Sequence, residues 1–461
     1  MAERLSALDA SFLYVEEPTT PMHAGGVALF ELPEGGFDYD RLVALIRART
    51  STVPRYRQRV RSVPARIGGP VWVDDAHFDI SYHVRRSALP RPGTTDQLLD
   101  LVGRIMSRPL DRERPLWEIY LVEGLQGGRF ALLTKTHHAM VDGVAAVELG
   151  ELILDATPVP RPTTAVERDT VAEPSGAALV AGAMVDLLSG PGSAVDAVRR
   201  GLSDTRRSAG RLASAAGGMA AMARTVARTA PGSPLNAPIG SQRRIVVADT
   251  DLADYKAVRA AHGGTVNDVV LAVVTGALRG WLMTRGEPVT SATSVRALVP
   301  VSIRADGEGP GNRVSSHLVD LPVGEPNPII RLHQVSYAMA AHKASGQAVG
   351  ADALVGLAGF TPPTLHLMGA RLASSLSRRL FNVVVTNVPG PQQPLYAAGA
   401  RLVAPYPVGP LARGQVVSIG LTSYAGGVYY GLNADRDAMP DVDTLATCLA
   451  DALADLTATL P

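Results

Sequence analysis

The spacing of apolar residues changes its period between residues 129 and 154, and this change marks the most informative part of the chain. Residues 130–136 alternate, which predicts a strand with two different faces. One face carries Phe130, Leu132, Thr134 and Thr136, and the other carries Ala131, Leu133 and Lys135. Val144, Val147, Glu151 and Leu154 then recur at helical spacing. The pattern therefore predicts a strand, a tight loop and a helix.

The predicted loop between this strand and helix holds four polar or small residues, His137, His138, Asp142 and Gly143. Successive residues at a strand end point to opposite faces, so the two histidines should not enter one cavity. Asp142 lies near the helix start, where a carboxylate interacts favourably with the helix dipole. We expect one histidine to react and the other to support it.

The residues before this stretch predict a mixture of strands and helices. Strands are expected at 25–32 and 70–75, and helices at 38–51 and 94–110. Thr94 or Thr95 would cap the second helix, and Pro109 would stop it. Residues 116–136 predict a hairpin that turns at Gly127 and Gly128 and places residues 117–122 beside the strand with the histidines.

The composition changes between residues 156 and 243. A stretch rich in proline and threonine is followed by one rich in Ala, Gly, Arg and Ser, from 177 to 229, with a weak apolar stripe and an arginine-rich face. Such a helix would either pack as a crossover with a solvated arginine face or lie on an anionic membrane. The first interpretation is favoured, because the stripe is mostly alanine and small residues bury little area.

After residue 243 the pattern is mixed again. Strands followed by apolar helices end in a hairpin that turns at Gly426 and Gly427 and in a C-terminal helix. We expect a mixed α/β protein with three parts: a domain at 1–155, a linker and crossover helix at 156–243, and a second domain at 244–461.

Composition excludes several classes of protein. The chain has 461 residues, of which 46% are hydrophobic and 19% charged, which describes a globular protein. A formal net charge of +1 gives no reason to expect a nucleic-acid partner. The single cysteine excludes an internal disulfide, and the N-terminus lacks the apolar run of a secretion signal. No uninterrupted apolar run approaches the roughly 20 residues of a spanning helix. We therefore expect a cytoplasmic protein.

The histidine loop is suited to acid–base chemistry. An imidazole can take a proton from a hydroxyl while the oxygen attacks a carbonyl. No G-x-S-x-G sequence occurs, so a serine hydrolase triad is unsupported. A metal site made of His137, His138 and Asp142 is a rival, but the strand geometry separates the histidines and no third nitrogen or sulfur donor lies nearby at a recognised spacing. A buried histidine with Asp142 only capping a helix is the other alternative.

The sequence HHAMVDG at 137–143 matches the HHxxxDG signature of CoA-dependent acyltransferases and peptide-synthetase condensation domains. Further segments resemble one branch, the bacterial wax ester synthase/diacylglycerol acyltransferases, in the same order. These are LSALDASFLYVEEPTTPMHAGG, RPLWEIYLVEGL, TVNDVVLA, ALVPVSIR, GN at 311–312 and TNVPGP. The resemblance covers almost the whole chain and is weakest at 156–229.

The resemblance implies two chloramphenicol-acetyltransferase-like domains with a channel between them. It implies that His138 is the general base and that Asp142 pairs with an arginine, for which Arg304 is the candidate. Gly143 would leave room beside the histidine or simply form the turn into the helix. CoA would lie in the channel without a glycine-rich phosphate loop, in agreement with the lack of one here. No cofactor or metal is implied, and acyl-CoA is a substrate.

Five other residues are weaker candidates for the pocket. Trp117 is either core or substrate contact, with core favoured. Asn267 and Asp268 begin an apolar helix, where capping is the default role. The resemblance adds that Asn267 faces the active site, where its amide would hold the thioester oxygen. Asn387 would line the channel or make a turn. His23 is interpreted as a surface histidine, with the acceptor entrance as the alternative.

Together these features predict an acyltransferase that moves a long acyl chain from acyl-CoA to a hydroxyl, with diacylglycerol as first acceptor and fatty alcohol as second. The protein would work as a peripheral protein on the inner membrane face or on lipid droplets. One alternative keeps the fold but uses a carrier-bound donor, as condensation or polyketide-linked enzymes do. Another is a lipid-binding homologue without turnover.

Overall fold

The computed structural model describes residues 3–33, 36–140, 149–166, 171–189, 229–302, 314–345 and 379–461. The strands in these ranges are β1 Glu3–Arg4, β2 His23–Glu31, β3 Gln58–Arg61, β4 Val71–Asp74, β5 Val84–Ala88, β6 Trp117–Leu125, β7 Arg129–His137, β8 Arg243–Asp251, β9 Val295–Ser302, β10 Val314–Leu321, β11 Val383–Pro389, β12 Tyr396–Ala397, β13 Ala400–Val408, β14 Val417–Tyr424 and β15 Gly427–Asp435. The helices are α1 Ala7–Val15, α2 Tyr39–Thr50, α3 Ile80–His83, α4 Thr95–Met106, α5 Leu149–Ile153, α6 Gly176–Ser189, α7 Leu252–His262, α8 Val266–Thr284, α9 Pro328–Ser345 and α10 Val442–Thr457. The expected mixed α/β class is confirmed.

Two six-stranded sheets organise the described residues. The first has the order β12-β13-β2-β7-β6-β5, and the second has the order β10-β9-β11-β14-β15-β8. A separate three-stranded sheet has the order β1-β4-β3. In the large sheets β5 runs parallel to β6, and β11 runs parallel to both β9 and β14, while the remaining neighbours are antiparallel.

The strand β7 is buried on both faces, as its alternation predicts. Phe130 and Leu132 enter a core shared with α1 and α2, while Ala131 and Leu133 enter a core shared with α4. A strand between two apolar layers has little freedom of register, because a slip of one residue would exchange its faces. The end of β7 is therefore held firmly, and that end carries the histidines.

The first sheet is completed by strands from the C-terminal part of the chain. β13 pairs with β2 through the register Tyr406–Val27, and β12 pairs with β13. β13 also lies against the second sheet, where a Cβ added to Gly431 would meet the Pro407 carbonyl oxygen at 1.9 Å. Only glycine allows the two backbones to approach this closely. The division at residues 155 and 243 stays a prediction, and β12 and β13 are a link between its first and third parts.

The helix caps follow the sequence closely. Asp38 caps α2, and Thr94 with Gln97 forms a capping box at the start of α4. The predicted end of α4 at Pro109 is wrong, since the helix ends at Met106. The buried Lys135 ammonium satisfies carbonyl oxygens at this end by donating to Ile105, at 3.0 Å, and to Arg108.

The apolar helix α8 belongs to the core of the second domain. It is the one helix among the described residues that is long and apolar enough to cross a membrane, and 67% of its most apolar window is buried. Trp281 near its end is buried and donates to Asp441 at 3.0 Å. Burial of this kind is typical of a core helix. The predicted arginine-rich helix lies mainly outside the described residues.

Candidate active site

The two histidines of the loop leave β7 in different environments. His137 is the last residue of β7 and is fully buried, whereas His138 begins a short 3₁₀ turn to Met140 and is half-buried. Their backbone N–H groups donate to different segments: that of His137 to the Leu116 carbonyl at 3.0 Å and that of His138 to the Met22 carbonyl at 2.9 Å. The two histidines thus differ in burial and in their backbone hydrogen-bond partners.

The ring of His138 packs against one aromatic side chain. Phe12 of α1 stacks on it with ring centroids 5.1 Å apart and an interplanar angle of 25°. Among the described residues neither ring nitrogen of His138 has a hydrogen-bond partner. An imidazole that is oriented by stacking on its ring face is suited to exchange a proton with a bound molecule through a ring nitrogen.

A buried polar group lies behind His138. Glu16, the first residue after α1, places Oε1 at 3.5 Å from His137 Nε2 and 3.4 Å from His23 Nε2. Its Oε2 accepts from Arg112, with Nε at 3.2 Å. We call Glu16, His23, His137 and Arg112 the glutamate cluster. Both histidines are buried, and they face each other across the β2–β7 pair.

Burial controls the pKa values in this region. Loss of hydration, together with the neighbouring His137 and His23, lowers the pKa of His138 to about 4. Burial also lowers the pKa of His23 to about 4, although Glu16 acts in the opposite direction. Burial alone would raise the pKa of Glu16, but the contacts from His137, His23 and Arg112 hold it well below its ordinary range. At neutral pH the cluster therefore holds an ionised Glu16, and both His138 and His23 are uncharged.

A second polar pair lies in the second domain. Asn387 of β11 donates from Nδ2 to Oδ1 of Asn267, at the start of α8, at 3.0 Å. Both side chains are half-buried. Because the carbonyl oxygen of Asn267 accepts this bond, its own Nδ2 is directed elsewhere and can donate to a bound molecule. Asp268 forms a capping box with Thr265, which accounts for its position at the helix start.

The structure places two other candidates in the core. Trp117 is fully buried, and its Nε1 donates to the Tyr56 carbonyl at 2.8 Å. The interpretation of His23 as a surface histidine is wrong, since only 1% of it is exposed. Its position opposite His137 on β2 is set by strand register, which local sequence spacing does not reveal.

The remaining candidates cannot be placed. Asp142, Gly143 and Arg304 lie outside the described residues. No hydrogen bond or ring contact joins His138 to the Asn267–Asn387 pair within the described ranges.

Sequence reasoning also missed residues. Glu16 and Phe12 both lie in the segment LSALDASFLYVEEP, which was used only to establish resemblance. A signal was present, because the four-residue spacing of Phe12 and Glu16 predicts one side of a helix, although Glu16 lies one residue beyond the end of α1. Their partners on β7 depend on tertiary packing.

Two protein-family models match this chain. The family model described as wax ester synthase/diacylglycerol acyltransferase catalytic domain matches residues 5–270, and that of the WS/DGAT C-terminal domain matches residues 310–457. The chain belongs to the wax ester synthase/diacylglycerol acyltransferase family. It is an acyltransferase, with an acyl donor and an acceptor as its substrates.

One curated relative and one solved structure match nearly the whole chain. A Mycobacterium tuberculosis protein named as a probable diacylglycerol O-acyltransferase is 36% identical over 458 residues, which cover 98% of this chain and 96% of the relative. The wax ester synthase/diacylglycerol acyltransferase from Marinobacter aquaeolei VT8 is 31% identical, with a TM-score of 0.69 and 98% of both chains covered.

A more distant match concerns the fold alone. The first condensation domain of the calcium-dependent antibiotic synthetase is 17% identical, with a TM-score of 0.58, and covers 100% of this chain and 97% of the domain. The chloramphenicol-acetyltransferase-like fold that the sequence resemblance implies is therefore confirmed.

Proposed function

We propose that the protein transfers an acyl chain from acyl-CoA to the hydroxyl of diacylglycerol, and with lower preference to a fatty alcohol. The observation that carries the proposal is the His138 ring, which is half-buried, uncharged at neutral pH and without a hydrogen-bond partner among the described residues. The family membership supplies the reaction class, and the name of the mycobacterial relative supports diacylglycerol as acceptor.

In the proposed mechanism His138 is the general base. It takes the proton of the acceptor hydroxyl while that oxygen attacks the thioester carbon. The tetrahedral oxyanion collapses, the C–S bond breaks, and CoA leaves as a thiolate that receives the proton from His138. The ester and free CoA are the products, and no covalent enzyme intermediate is needed.

Asn267 is the candidate for stabilising the oxyanion. Its Nδ2 would donate to the thioester oxygen as that oxygen gains charge, and the bond from Asn387 would keep the amide in this orientation. Donors that are already oriented stabilise the transition state without a further cost of reorganisation. Asp142, Gly143 and Arg304 keep the roles that the resemblance implies: Asp142 and Arg304 hold the loop, and Gly143 leaves room beside His138.

The proposed reaction uses no cofactor and no metal, because the proton and the leaving group are fully accounted for by His138 and the two substrates. A water-insoluble acceptor also requires access to a lipid surface. We therefore place the enzyme in the cytoplasm, in peripheral contact with the inner membrane face or with lipid droplets. Co-sedimentation with diacylglycerol-containing vesicles is the corresponding measurement.

A CoA-release assay tests this function. Palmitoyl-CoA is offered with diacylglycerol, with a fatty alcohol, or with water alone, and products are separated by chromatography. We expect triacylglycerol as main product, less wax ester, and almost no hydrolysis. Release that needs a carrier-bound acyl donor would instead support a condensation-type enzyme, and tight lipid binding without any CoA release would support a non-catalytic homologue.

A further inference from the structure

The glutamate cluster lies directly behind the turn that carries His138. Glu16, at the end of α1, is linked to this turn through Met22 and lies near His137. Its Oε1 accepts from the Met22 N–H at 3.2 Å, and the Met22 carbonyl in turn accepts from the His138 N–H. Four residues before it, Phe12 stacks on the His138 ring. The Glu16 carboxylate, with a side chain only 9% exposed, is therefore linked to the His138 backbone through Met22, while Phe12 contacts the His138 ring.

The hydrogen bonds of His137 assign its tautomer. Its Nδ1 accepts from the backbone N–H of Ala139 at 3.0 Å. A ring nitrogen that accepts a hydrogen bond carries no proton, so the proton of the neutral ring is on Nε2. That nitrogen lies 3.5 Å from Glu16 Oε1, beyond hydrogen-bond distance, and has no hydrogen-bond partner among the described residues, so the carboxylate acts on its N–H through charge alone.

His23 has a different relation to the same carboxylate. Its Nε2 lies 3.4 Å from Glu16 Oε1 and 3.3 Å from the N–H of Leu110. One nitrogen cannot donate to the carboxylate and accept from the amide at once. His137, which has a single consistent assignment, is therefore the histidine whose tautomer Glu16 favours.

We propose that Glu16 is a positioning residue: its charge favours the Nε2–H tautomer of His137, which the Ala139 N–H also selects, and His137 then holds the turn that carries His138. The connection runs from Glu16 Oε1 to His137 Nε2, through the ring to Nδ1, and from Nδ1 to the Ala139 N–H, one residue after His138. No proton moves along it. The proposal rests on the role of His138 proposed above.

A metal ion is the alternative occupant of these residues, because two imidazoles and a carboxylate converge. Three observations argue against it. The Nε2–H of His137 has no lone pair for a metal. Arg112 already neutralises Glu16, and the buried Lys135 ammonium lies on the same face of β7, which disfavours a further cation.

The first test reads the tautomer without any activity assay. In protein labelled with ¹⁵N-histidine, the imidazole nitrogen shifts of His137 should show a protonated Nε2 and an unprotonated Nδ1. His137→Asn assigns the signals. In Glu16→Ala only the Ala139 N–H selects the tautomer, so part of the population should carry the proton on Nδ1 instead. A proton on Nδ1 in the wild-type protein, an unchanged spectrum in Glu16→Ala, or one equivalent of Zn²⁺ that displaces the Nε2 proton would overturn the proposal.

The second test is kinetic. Glu16→Gln should lower kcat by on the order of 10²-fold, the usual cost of a misplaced catalytic group, with little change in KM for acyl-CoA. Glu17→Gln is the matched control, because the Glu17 carboxylate is half-exposed and pairs with Arg413 at 2.9 Å on the surface. It should retain wild-type kcat.

A double variant separates positioning from general folding damage. If Glu16 acts through His137, Glu16→Gln should cause no further loss in a His137→Asn background, whereas independent effects would multiply. Multiplying effects would contradict the proposal. A wild-type protein that has the expected tautomer but releases no CoA with any acceptor would overturn the proposed function and leave the tautomer assignment intact.

Discussion

The two domains contribute different kinds of polar group to the candidate active site. In the first, a half-buried His138 is backed by a buried carboxylate, two histidines and an arginine. In the second, two neutral amides, Asn267 and Asn387, are held by each other at 3.0 Å. The first side can change its protonation state, and the second cannot.

This difference corresponds to a division of chemical work. A base must exchange a proton, so its surroundings control its charge, while an oxyanion donor must stay neutral and correctly oriented. On both sides the reacting group is oriented by a neighbour that does not itself react. Substitution of His138 tests the first domain, and substitution of Asn267 tests the second. Substitution of Arg243 tests the contact between the domains, and a change of pH alters protonation alone.

Replacement of His138 should have the largest effect. His138→Ala removes the base, so kcat for CoA release should fall by about 10²- to 10⁴-fold while acyl-CoA binding stays near wild type. The measurement is steady-state kinetics beside equilibrium binding of acyl-CoA. His77→Ala, at an exposed histidine of the same domain, is the control and should be fully active. Normal turnover in His138→Ala would refute the mechanism.

Replacement of Asn267 should have the next largest effect. Asn267→Ala removes the proposed oxyanion donor and should lower kcat by about 10²-fold, whereas Asn387→Ala, which only loosens the orientation of that donor, should cost less. Asn327→Ala removes a helix-capping amide in the same domain, where Oδ1 accepts from Ile329 and Ile330, and should leave kcat unchanged. Equal kcat in all three variants would exclude Asn267 from the chemistry.

Local patterns predicted the elements but not the way they meet. The alternation along β7 predicted its two core faces, and Thr94 and Asp38 marked helix starts. The pairing of β13 with β2 joins segments far apart in sequence, and no local pattern names such a partner. The same limit hid the glutamate cluster, because His23 meets His137 only through the β2–β7 register.

Arg243 makes the polar contacts that connect the two domains. Its guanidinium, 2% exposed, donates to the Thr19 carbonyl of the first domain, to the Gly240 carbonyl at 2.9 Å, and lies 3.5 Å from Asp435. Arg243→Met leaves Asp435 buried without its cation, so the free energy of unfolding should fall by about 3–5 kcal/mol. Urea denaturation measures this.

Arg244→Met is the matched control for Arg243→Met. The neighbouring Arg244 pairs with Asp443 at 2.6 Å, but both side chains are largely exposed, so its loss should cost about 1 kcal/mol or less. Equal losses for the two variants would mean that Arg243 does not hold the domains together.

A change of one pH unit should have the smallest effect on the free energy of unfolding, and it acts mainly on the first domain. The pKa values of His23 and His138 are lowered to about 4 from an ordinary 6.5, so between these pH values the unfolded chain binds protons that the folded chain does not. Stability is therefore complete above pH 6.5 and is lost as the pH falls towards 4, by at most about 1.4 kcal/mol per pH unit for each histidine. Urea midpoints at pH 7, 6 and 5 measure the slope.

The slope can be assigned to the cluster with one variant. Burial also lowers the pKa values of His83 and His317, so they contribute to the same loss. Glu16 contributes a loss of stability only below its ordinary pKa of 4.5. Lys135, with a pKa of about 8, affects stability only in more alkaline solution. His23→Gln should therefore be less stable than wild type at pH 7 but lose less stability from pH 7 to 5. A slope equal to wild type would mean that the pKa of His23 is the same in the folded and the unfolded protein, so that folding would not keep this histidine uncharged.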